Sequence, residues 1–333
     1  MITRLEVVDA GPETDPVRAF ARDVQVGLSR SPRRIPSCYF YDERGSRLFQ
    51  QITQLDEYYL TACEREILLH HAADIADAVG SEHFRLVEAG AGDGHKTEIL
   101  LREFVKRNVS LDYSPIDICR PALVQLLDKL RRRFPPGSFR AHALAGDYFA
   151  ALRALHRQSC TRNLVLFLGS SIGNFDHSQA ARFLGRLRRT LRSGDLALIG
   201  FDLKKDVALL QSAYDDSLGV TREFNLNLLD RMNRELGANF RRSAWEHEAR
   251  YDATEGCMQS HLVSRKSQPI EVRSLGQSFH FVAGERVHVE DSYKYDLSRI
   301  EQFSEECGFR VRRHFFDRSG FFVDSLWEAI ETP

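Results

Sequence analysis

The sequence lacks the long apolar segments that cross membranes. None of its hydrophobic runs approaches the ~18 residues that a transmembrane helix needs, and the N-terminus, MITRLEVVDAGPETDP, has no apolar core after a basic start. We therefore expect no membrane span and no export signal, and we predict a cytoplasmic protein. The chain has 333 residues, of which 43% are hydrophobic, so it can form a substantial core and suggests about two domains.

Excess charge of one sign and paired cysteines are also missing. The 46 basic and 47 acidic residues leave a formal charge of -1, which provides no overall field for a nucleic acid or a membrane surface. The six cysteines include no C-x-x-C pair and stand at positions 38, 63, 119, 160, 257 and 307. This scatter predicts reduced thiols, and the histidines show no metal-ligand spacing, so we expect no metal. The expected partner is a small molecule, and the expected state is a monomer.

Short apolar runs alternate with amphipathic stretches in the middle of the chain. Residues 1–60, with several prolines near their start, are predicted to form an arm. TACEREILLHHAADIADAVG then combines Thr61 with Glu64 in a capping-box pattern, which predicts the start of a helix. The runs LVEAG, NLVLFLG and DLALIGFDL follow, separated by helical stretches. Such alternation is typical of a parallel sheet covered on both faces, so the predicted fold class is α/β and Rossmann-like.

The alternation of apolar runs and amphipathic stretches stops near residue 205 and resumes near residue 294. Residues 205–293 first favour helix and then antiparallel strands that turn at DATEG and VAGE. We predict a Rossmann-like domain over 61–204, completed by 294–333 with an antiparallel end. The insertion over 205–293 is predicted to be an α+β substrate-binding domain, to which the arm over 1–60 contributes. A cleft between the two domains is the expected ligand site.

A glycine-rich turn follows the first strand of the predicted sheet. In LVEAGAGDGHKTEIL, Glu88 precedes Gly90, Gly92 and Gly94. A dinucleotide fingerprint has the spacing G-x-G-x-x-G, and a pyrophosphate prefers helix-terminal amides without an adjacent carboxylate. The spacing here is G-x-G-x-G, which disfavours a nicotinamide oxidoreductase. The turn favours a ligand with a cationic centre and an amino-acid head group.

The turn resembles motif I of the Rossmann-like methyltransferases that bind S-adenosylmethionine. Asp117 follows the second strand, where a carboxylate can accept both ribose hydroxyls. Asp147 and Tyr148 follow the third strand and suit the adenine amino group and ring face. Glycine spacing alone also fits a turn without a ligand, because such turns are common. The three acids in this order make S-adenosylmethionine the favoured ligand.

Longer motifs relate the rest of the chain to one family. These are FYDERGSRLFQQITQLDEYYLTACEREIL, FLGSSIGNF, DLKKDVALLQSAYDDSLGVTREFNLNLLDRMNRELGANF and VEDSYKYDLSRIEQFSEECGF. Over about residues 20 to 330 they closely resemble the bacterial histidine-specific N-alpha-methyltransferases, which make hercynine on the way to ergothioneine. The resemblance implies trimethylation of L-histidine by S-adenosylmethionine. It also implies that the inserted domain and the arm bind the amino acid, while the Rossmann-like domain binds the donor.

The glycine turn and the resemblance together imply roles for individual residues. The predicted donor ligands are Glu88, Gly90, Gly92, Lys96, Asp117, Asp147 and Tyr148. The predicted ligands of the amino acid are Tyr41, Tyr58, Gly169, Asn174, Tyr214, Thr221, Glu290 and Ser292. Within the second set, Glu290 and Ser292 match the pair that grips the imidazole. Asn174 and Tyr214 match the ligands of the carboxylate and amino group. Tyr41 and Asn174 are the predicted catalytic residues, with Tyr41 as the proton relay.

One position departs from the expected pattern. Ser260, in CMQSHLV, stands where we expect the family to carry a larger apolar side chain such as methionine, which alters the predicted pocket volume. An N-methyltransferase of tryptophan, of another amino acid or of a dipeptide is therefore an open alternative. A non-catalytic module that binds an amino acid and S-adenosylmethionine is a second one. Only an enzyme predicts donor turnover, and in-line methyl transfer requires positioning rather than a metal or a covalent intermediate.

Overall fold

The computed structural model describes residues 3–7, 15–158 and 161–331, and these ranges contain fourteen β-strands and ten α-helices. The strands are β1 (Thr3–Val7), β2 (Arg33–Arg34), β3 (Phe84–Ala89), β4 (Leu111–Asp117), β5 (Arg140–Ala145), β6 (Arg162–Phe167), β7 (Leu196–Asp202), β8 (Trp245–Asp252), β9 (Cys257–Ser264), β10 (Gln268–Val272), β11 (Gln277–Phe281), β12 (Arg286–Tyr293), β13 (Phe309–Phe316) and β14 (Phe322–Ala329). The helices are α1 (Pro16–Ser29), α2 (Glu43–Ile52), α3 (Tyr59–Val79), α4 (His95–Lys106), α5 (Arg120–Arg133), α6 (Tyr148–Gln158), α7 (His177–Thr190), α8 (Val207–Tyr214), α9 (Val220–Leu236) and α10 (Leu297–Glu306).

The chain divides into two compact units. The first unit comprises β1, residues 62–203 and the chain from residue 295 onward. The second unit comprises the chain from α1 to Thr61 together with residues 204–294. No helix in the described part of the chain is both long and apolar enough to span a bilayer.

An eight-stranded sheet forms the centre of the first unit, in the order β1-β5-β4-β3-β6-β7-β14-β13. Neighbours from β1 to β7 are parallel, whereas β14 is antiparallel to both β7 and β13. The predicted α/β class with an antiparallel end is therefore confirmed. Strands β4 and β5 extend the sheet on one side of β3, and β6 and β7 extend it on the other. Ligands of open α/β sheets bind at the carboxyl ends of the strands beside such a reversal.

The central strands form where the sequence has continuous apolar runs. Strands β3 and β7 are buried along their whole length, which is expected of strands covered on both faces. Helix α7 begins at a capping box, in which the Asp176 carboxylate accepts from Gln179 N and the Gln179 side chain accepts from Asp176 N. Its apolar stripe, including Phe183 and Leu187, is buried. Local pattern and tertiary burial agree in this part of the chain.

The N-terminal segment differs from the predicted arm over residues 1–60. Strand β1 pairs in parallel with β5 and belongs to the first unit, where it satisfies backbone groups at the sheet edge. Helix α1 is a regular helix with Asp15 as its N-cap. Its side chains Phe20, Val24 and Leu28 belong to the apolar core of the second unit. The segment therefore supplies ordered elements to both units, and the residues that join β1 to α1 lie outside the described part.

A four-stranded sheet in the order β2-β12-β9-β8 forms part of the second unit. Strands β8 and β9 are antiparallel neighbours, as predicted from the DATEG turn. The VAGE turn predicted that β12 pairs with the strand before it, β11. This prediction is wrong, because β12 pairs with β9, while β10 and β11 form a separate two-stranded sheet. A bulge between His288 and Glu290 shifts the register, so that Glu290 lies opposite Ser260.

The described cysteines, at positions 38, 63, 119, 257 and 307, carry thiols rather than disulfides. The sixth, Cys160, lies outside the described residues. In the same part of the chain, no three His, Cys, Asp or Glu side chains are grouped so that they could hold a metal ion.

Packing of the glycine turn generates a stability prediction. Gly94 is the N-cap of α4 with a φ of +65°, and a Cβ there would lie 2.4 Å from Leu126 Cδ1 in α5. Gly92 has a φ of +50° and no atom within 4 Å of its Cβ position. Gly94→Ala should lower the free energy of unfolding by about 2–4 kcal/mol, since strain and a clash combine. Gly92→Ala, with strain alone, should cost about 1–2 kcal/mol. If urea unfolding shows that both variants lose the same free energy of unfolding, the packing role of Gly94 is contradicted.

Candidate active site

Backbone hydrogen bonds hold the glycine turn against the end of β4. Gly90 N and Ala91 N both donate to Ile116 O, at 2.9 and 3.1 Å. Gly90 has a φ of +81°, and a Cβ there would lie 3.2 Å from the Tyr148 hydroxyl. The turn therefore brings two predicted donor ligands, Gly90 and Tyr148, into close approach.

Two carboxylates lie beside this turn, at the ends of β4 and β5. Asp117 Oδ2 accepts from Gly92 N at 3.0 Å, and its Oδ1 accepts from Cys119 N at 2.8 Å. Asp147 Oδ1 accepts from two backbone N–H groups in the first turn of α6, at 2.9 and 3.1 Å. Burial, together with the charges of Asp117 and Asp147, raises the pKa of Tyr148 to about 12. These three predicted donor ligands thus form one cluster.

Glu88 is buried beneath the turn, and both of its oxygens accept hydrogen bonds. Thr97 Oγ1 donates to Oε1 at 2.5 Å, and the Tyr113 hydroxyl donates to Oε2. Burial raises the pKa of Glu88 to about 7, against the lowering effect of these hydrogen bonds. These contacts tie β3 to α4 and β4. The role of Glu88 as a donor ligand stays a prediction.

Lys96, in the first turn of α4, lies beside the loop that follows β6. Its ammonium contacts the Glu64 carboxylate and is 3.5 Å from the position of a Cβ on Gly169. Glu64 Oε1 also accepts from Gly169 N at 2.6 Å. The predicted capping box of Thr61 and Glu64 is wrong, because α3 begins at Tyr59 and the carboxylate binds Gly169 instead.

The loop after β6 carries two predicted ligands of the amino acid. Gly169 and Ser170 are consecutive left-handed residues, with φ values of +77° and +53°. Ser170 Oγ accepts from Asp202 N at 3.1 Å, and a 3-10 turn over Ser171–Asn174 leaves Asn174 half-buried. Gly169 and Asn174 belong to the first unit, whereas the other predicted ligands of the amino acid belong to the second.

A row of aromatic contacts links the predicted tyrosines of the second unit. The Tyr41 ring packs edge-on against Phe49 at 5.5 Å between centroids, and Phe49 packs against Tyr58 at 6.2 Å. Tyr58 in turn packs against Tyr214 at 6.3 Å. The hydroxyls of Tyr214 and Ser292 are hydrogen-bonded at 2.6 Å. The structure therefore brings together four predicted residues that are far apart in the sequence.

Thr221 is buried in the first turn of α9, beside Asp216. Its N–H donates to Asp216 Oδ1 at 2.7 Å. Against the effect of burial, hydrogen bonds from the side chain and the backbone of Thr221 lower the pKa of Asp216. The role of Thr221 as a ligand of the amino acid stays a prediction.

Glu290 is half-buried in β12, opposite Ser260 in β9. Ser260 Oγ donates to Glu290 Oε2 at 3.4 Å, so Ser260 contacts the predicted imidazole ligand directly. Burial raises the pKa of Glu290 to about 7, while the nearby Lys294 ammonium and the Ser260 hydroxyl lower it. A carboxyl group with such a pKa changes charge near neutral pH. A ligand that donates a hydrogen bond to it, or a nearby cation, would favour its ionised form.

Lys294 is a candidate that the sequence analysis missed. Its side chain is buried, and its ammonium donates to the Tyr214 hydroxyl and to Ser292 Oγ, both at 2.9 Å. Because an ammonium only donates, it fixes both oxygens as acceptors and directs their hydrogens elsewhere. Alternation was the available signal, since Glu290, Ser292 and Lys294 are two residues apart and share one side of an extended chain.

Comparison with known proteins relates nearly the whole chain to one family. Residues 20–329 match the family described as "Histidine-specific methyltransferase, SAM-dependent". The chain is 37% identical over 308 residues to a histidine N-alpha-methyltransferase of Mycolicibacterium smegmatis, with 92% of this chain and 94% of that protein covered. A protein of the same name from Mycobacterium tuberculosis gives the same identity and coverage.

A third relative is longer. Ergothioneine biosynthesis protein 1 of Schizosaccharomyces pombe is 31% identical over 284 residues, which cover 84% of this chain and 36% of that protein. Together with the match over residues 20–329, these relatives assign the chain. It belongs to the family of histidine-specific methyltransferases that depend on S-adenosylmethionine.

Proposed function

We propose that this chain transfers three methyl groups in succession from S-adenosylmethionine to the α-amino nitrogen of L-histidine, forming hercynine. The observation that carries the proposal is the cluster of the half-buried Glu290 with the buried Ser292, Tyr214 and Lys294 in the second unit. It offers a carboxyl acceptor next to oriented hydroxyls, which suits a ring that has both an N–H and an unprotonated nitrogen. The family of the chain and the names of its relatives support the same substrate.

The residues around the glycine turn fit the methyl donor. S-adenosylmethionine supplies an electrophilic methyl group on a sulfonium, and the chain binds and orients it. The Asp117 carboxylate suits the ribose hydroxyls, and the exposed Asp147 suits the adenine amino group. Gly90 leaves space beside the Tyr148 ring because it has no Cβ. The Lys96 ammonium suits the carboxylate of the methionine part.

The substrate ring is proposed to lie between Glu290 and Ser292. Glu290 accepts from the ring N–H, and Ser292, whose oxygen accepts from Lys294, donates to the other ring nitrogen. The side chains of phenylalanine or leucine would cover Glu290 and leave Ser260 as its hydrogen-bond donor, with the second oxygen unpaired. The unmade hydrogen bond to a charged group is worth about 1.5–3 kcal/mol, so the site can reject these amino acids.

The reaction requires an uncharged amine in line with the bond between sulfur and methyl. Positioning of this kind can supply as much as about 7–11 kcal/mol of the barrier. Tyr41 remains the proposed relay for the ammonium proton, and Tyr58, Gly169 and Thr221 remain proposed ligands. Asn174 keeps its proposed role as a ligand of the carboxylate, which would leave the nitrogen able to turn between successive transfers.

Mass spectrometry of the purified chain with S-adenosylmethionine and single free amino acids tests the proposal. We expect histidine to gain the mass of three methyl groups, without added metal, and tryptophan to stay unmodified. Trimethylation of another amino acid, with histidine unchanged, would mean that Ser260 has altered the substrate. Binding of S-adenosylmethionine without methylation of any amino acid would instead support a non-catalytic module.

The raised pKa of Glu290 predicts a pH dependence. Protonation of Glu290 as the pH falls through about 7 removes the acceptor for the ring N–H, so kcat/KM for histidine should fall with it. Glu290→Gln should abolish this decrease and raise the KM for histidine about tenfold or more, because the charged acceptor is lost. The decrease that comes from protonation of the substrate ring near pH ~6.5 should persist.

Asp117→Asn is the matched comparison for Glu290→Gln, since it also replaces a carboxylate by an amide. It should raise the KM for S-adenosylmethionine and leave the decrease assigned to Glu290 in place. Steady-state kinetics between pH 5.5 and 9 measure both variants. Loss of the decrease in both variants, or in neither, would contradict the assignment to Glu290.

Removal of the buried Lys294 ammonium should weaken binding of the amino acid more than binding of S-adenosylmethionine. Lys294→Met keeps the apolar stem but removes the ammonium that donates hydrogen bonds to Tyr214 and Ser292. The KM for histidine should therefore rise about tenfold or more. The pKa of Glu290 should rise as well, because the Lys294 ammonium lowers it. Lys266→Met, at an exposed lysine of the same unit, is the control. Equal kinetics of the two variants would exclude a role for Lys294.

A further inference from the structure

Two carboxyl groups are completely buried in the first unit, close to the predicted donor ligands. Glu64 in α3 and Asp324 in β14 are both 0% exposed. A Cβ on Gly200 in β7 would lie 2.3 Å from Glu64 Oε1 and 3.1 Å from Asp324 Oδ1. The missing side chain at Gly200 therefore provides the space in which the two carboxyl groups meet. Neither group has a role in the proposed reaction so far.

The two carboxyl groups differ in their partners. Glu64 accepts from Gly169 N at 2.6 Å and contacts the Lys96 ammonium. Neither oxygen of Asp324 has a hydrogen-bond donor among the described residues. An ionised carboxylate without donors is strongly unfavourable in the interior. Burial, followed by the charge of Glu64, raises the pKa of Asp324 well above its usual range.

We propose that Asp324 and Glu64 share one proton and act as positioning residues for the donor ligand Lys96 and the neighbouring Gly169. Asp324 keeps the proton and donates it to Glu64 in a hydrogen bond. Glu64 stays anionic and binds the Lys96 ammonium and Gly169 N. One ammonium, one carboxylate and one neutral carboxyl group then make an electrically neutral cluster. This inference rests on the proposed function, because Lys96 acts there as a ligand of the donor.

The position of Lys96 explains what the pair achieves. The side chain of Lys96 is 25% exposed and that of Glu64 is 0% exposed, so the ammonium joins a buried anchor to an accessible site. An ammonium has three N–H groups and can bind Glu64 and a ligand carboxylate together. Holding a long side chain in advance also removes part of the entropy that binding would otherwise cost. The ligand carboxylate belongs to an α-amino acid, either the methionine part of the donor or the substrate.

The first test measures binding of S-adenosylhomocysteine and of histidine to the full chain by calorimetry, which requires no turnover. Glu64→Gln keeps the shape and the acceptor for Gly169 but removes the charge that holds Lys96. The Kd of S-adenosylhomocysteine should rise about tenfold or more. Glu64→Gln in a Lys96→Met background should cause no further rise, since Glu64 acts through Lys96. Glu82→Gln, at an exposed acid, is the control and should match the wild type.

Each result of the calorimetry decides a separate point. Equal effects of Glu64→Gln with and without Lys96 would overturn the positioning role. A rise in the Kd of histidine alone would assign Lys96 to the substrate carboxylate and overturn its role for the donor. A wild-type chain that does not bind S-adenosylhomocysteine would overturn the proposed function. If the wild-type chain and the Glu64→Gln variant bind S-adenosylhomocysteine with the same Kd, only the inference is overturned.

The second test examines the shared proton itself. Infrared spectra recorded at about pH 9, well above the pKa of about 7 of Glu88 and Glu290, should still contain the band of a protonated buried carboxyl group. Asp324→Asn and Asp324→Leu should both lose this band. The asparagine amide can still donate to Glu64, so Asp324→Asn should weaken binding of S-adenosylhomocysteine less than Asp324→Leu. A wild-type spectrum without the band, or equal binding by the two variants, would contradict a shared proton.

Discussion

A buried carboxyl group must find hydrogen-bond donors or keep its proton, and this constraint shapes both candidate sites. Glu88 is saturated by two hydroxyls and ties strands to a helix. Glu64 is paired with an ammonium and a backbone N–H. Glu290 has a pKa of about 7, like Glu88, but it accepts from only one protein hydroxyl, that of Ser260. Glu290 is therefore the carboxyl group best suited to accept a further hydrogen bond from a ligand.

The parallel strands of the first unit form the framework that positions the polar groups of that unit. The parallel strands are buried and mostly apolar, and most of the predicted donor ligands lie at or after their carboxyl ends. Left-handed backbone also occurs in these loops, at Gly90, Gly92, Gly94, Gly169 and Ser170. Rigid strands and tightly turned loops together fix side chains such as Lys96 and Tyr148 within a small region. Precise placement of this kind is what an in-line transfer requires.

The sequence predicts the features that depend on local pattern and misses those that depend on distant partners. Continuous apolar runs predict β3, β6 and β7 because burial on both faces leaves no alternation. The pairing of β12 with β9 was not predictable, since the alternation of β10 and β11 fits the same sheet equally well. The Thr61 and Glu64 pattern was misread because the partner of Glu64 is Gly169, 105 residues away. The glycine turn and the acids that follow the strands predicted most ligands of the methyl donor, whereas the predicted ligands of the amino acid came from the family resemblance.

Ser260 illustrates how a substitution can act through charge rather than size. From the sequence, a small residue at this position predicts a change of pocket volume. In the structure its hydroxyl donates to Glu290 and so lowers the pKa of that carboxyl group, in the same direction as Lys294. A larger apolar side chain at position 260 would fill space but would leave Glu290 with one donor fewer. Ser260 therefore helps to keep Glu290 ionised, and an ionised Glu290 favours a ring that can donate a hydrogen bond.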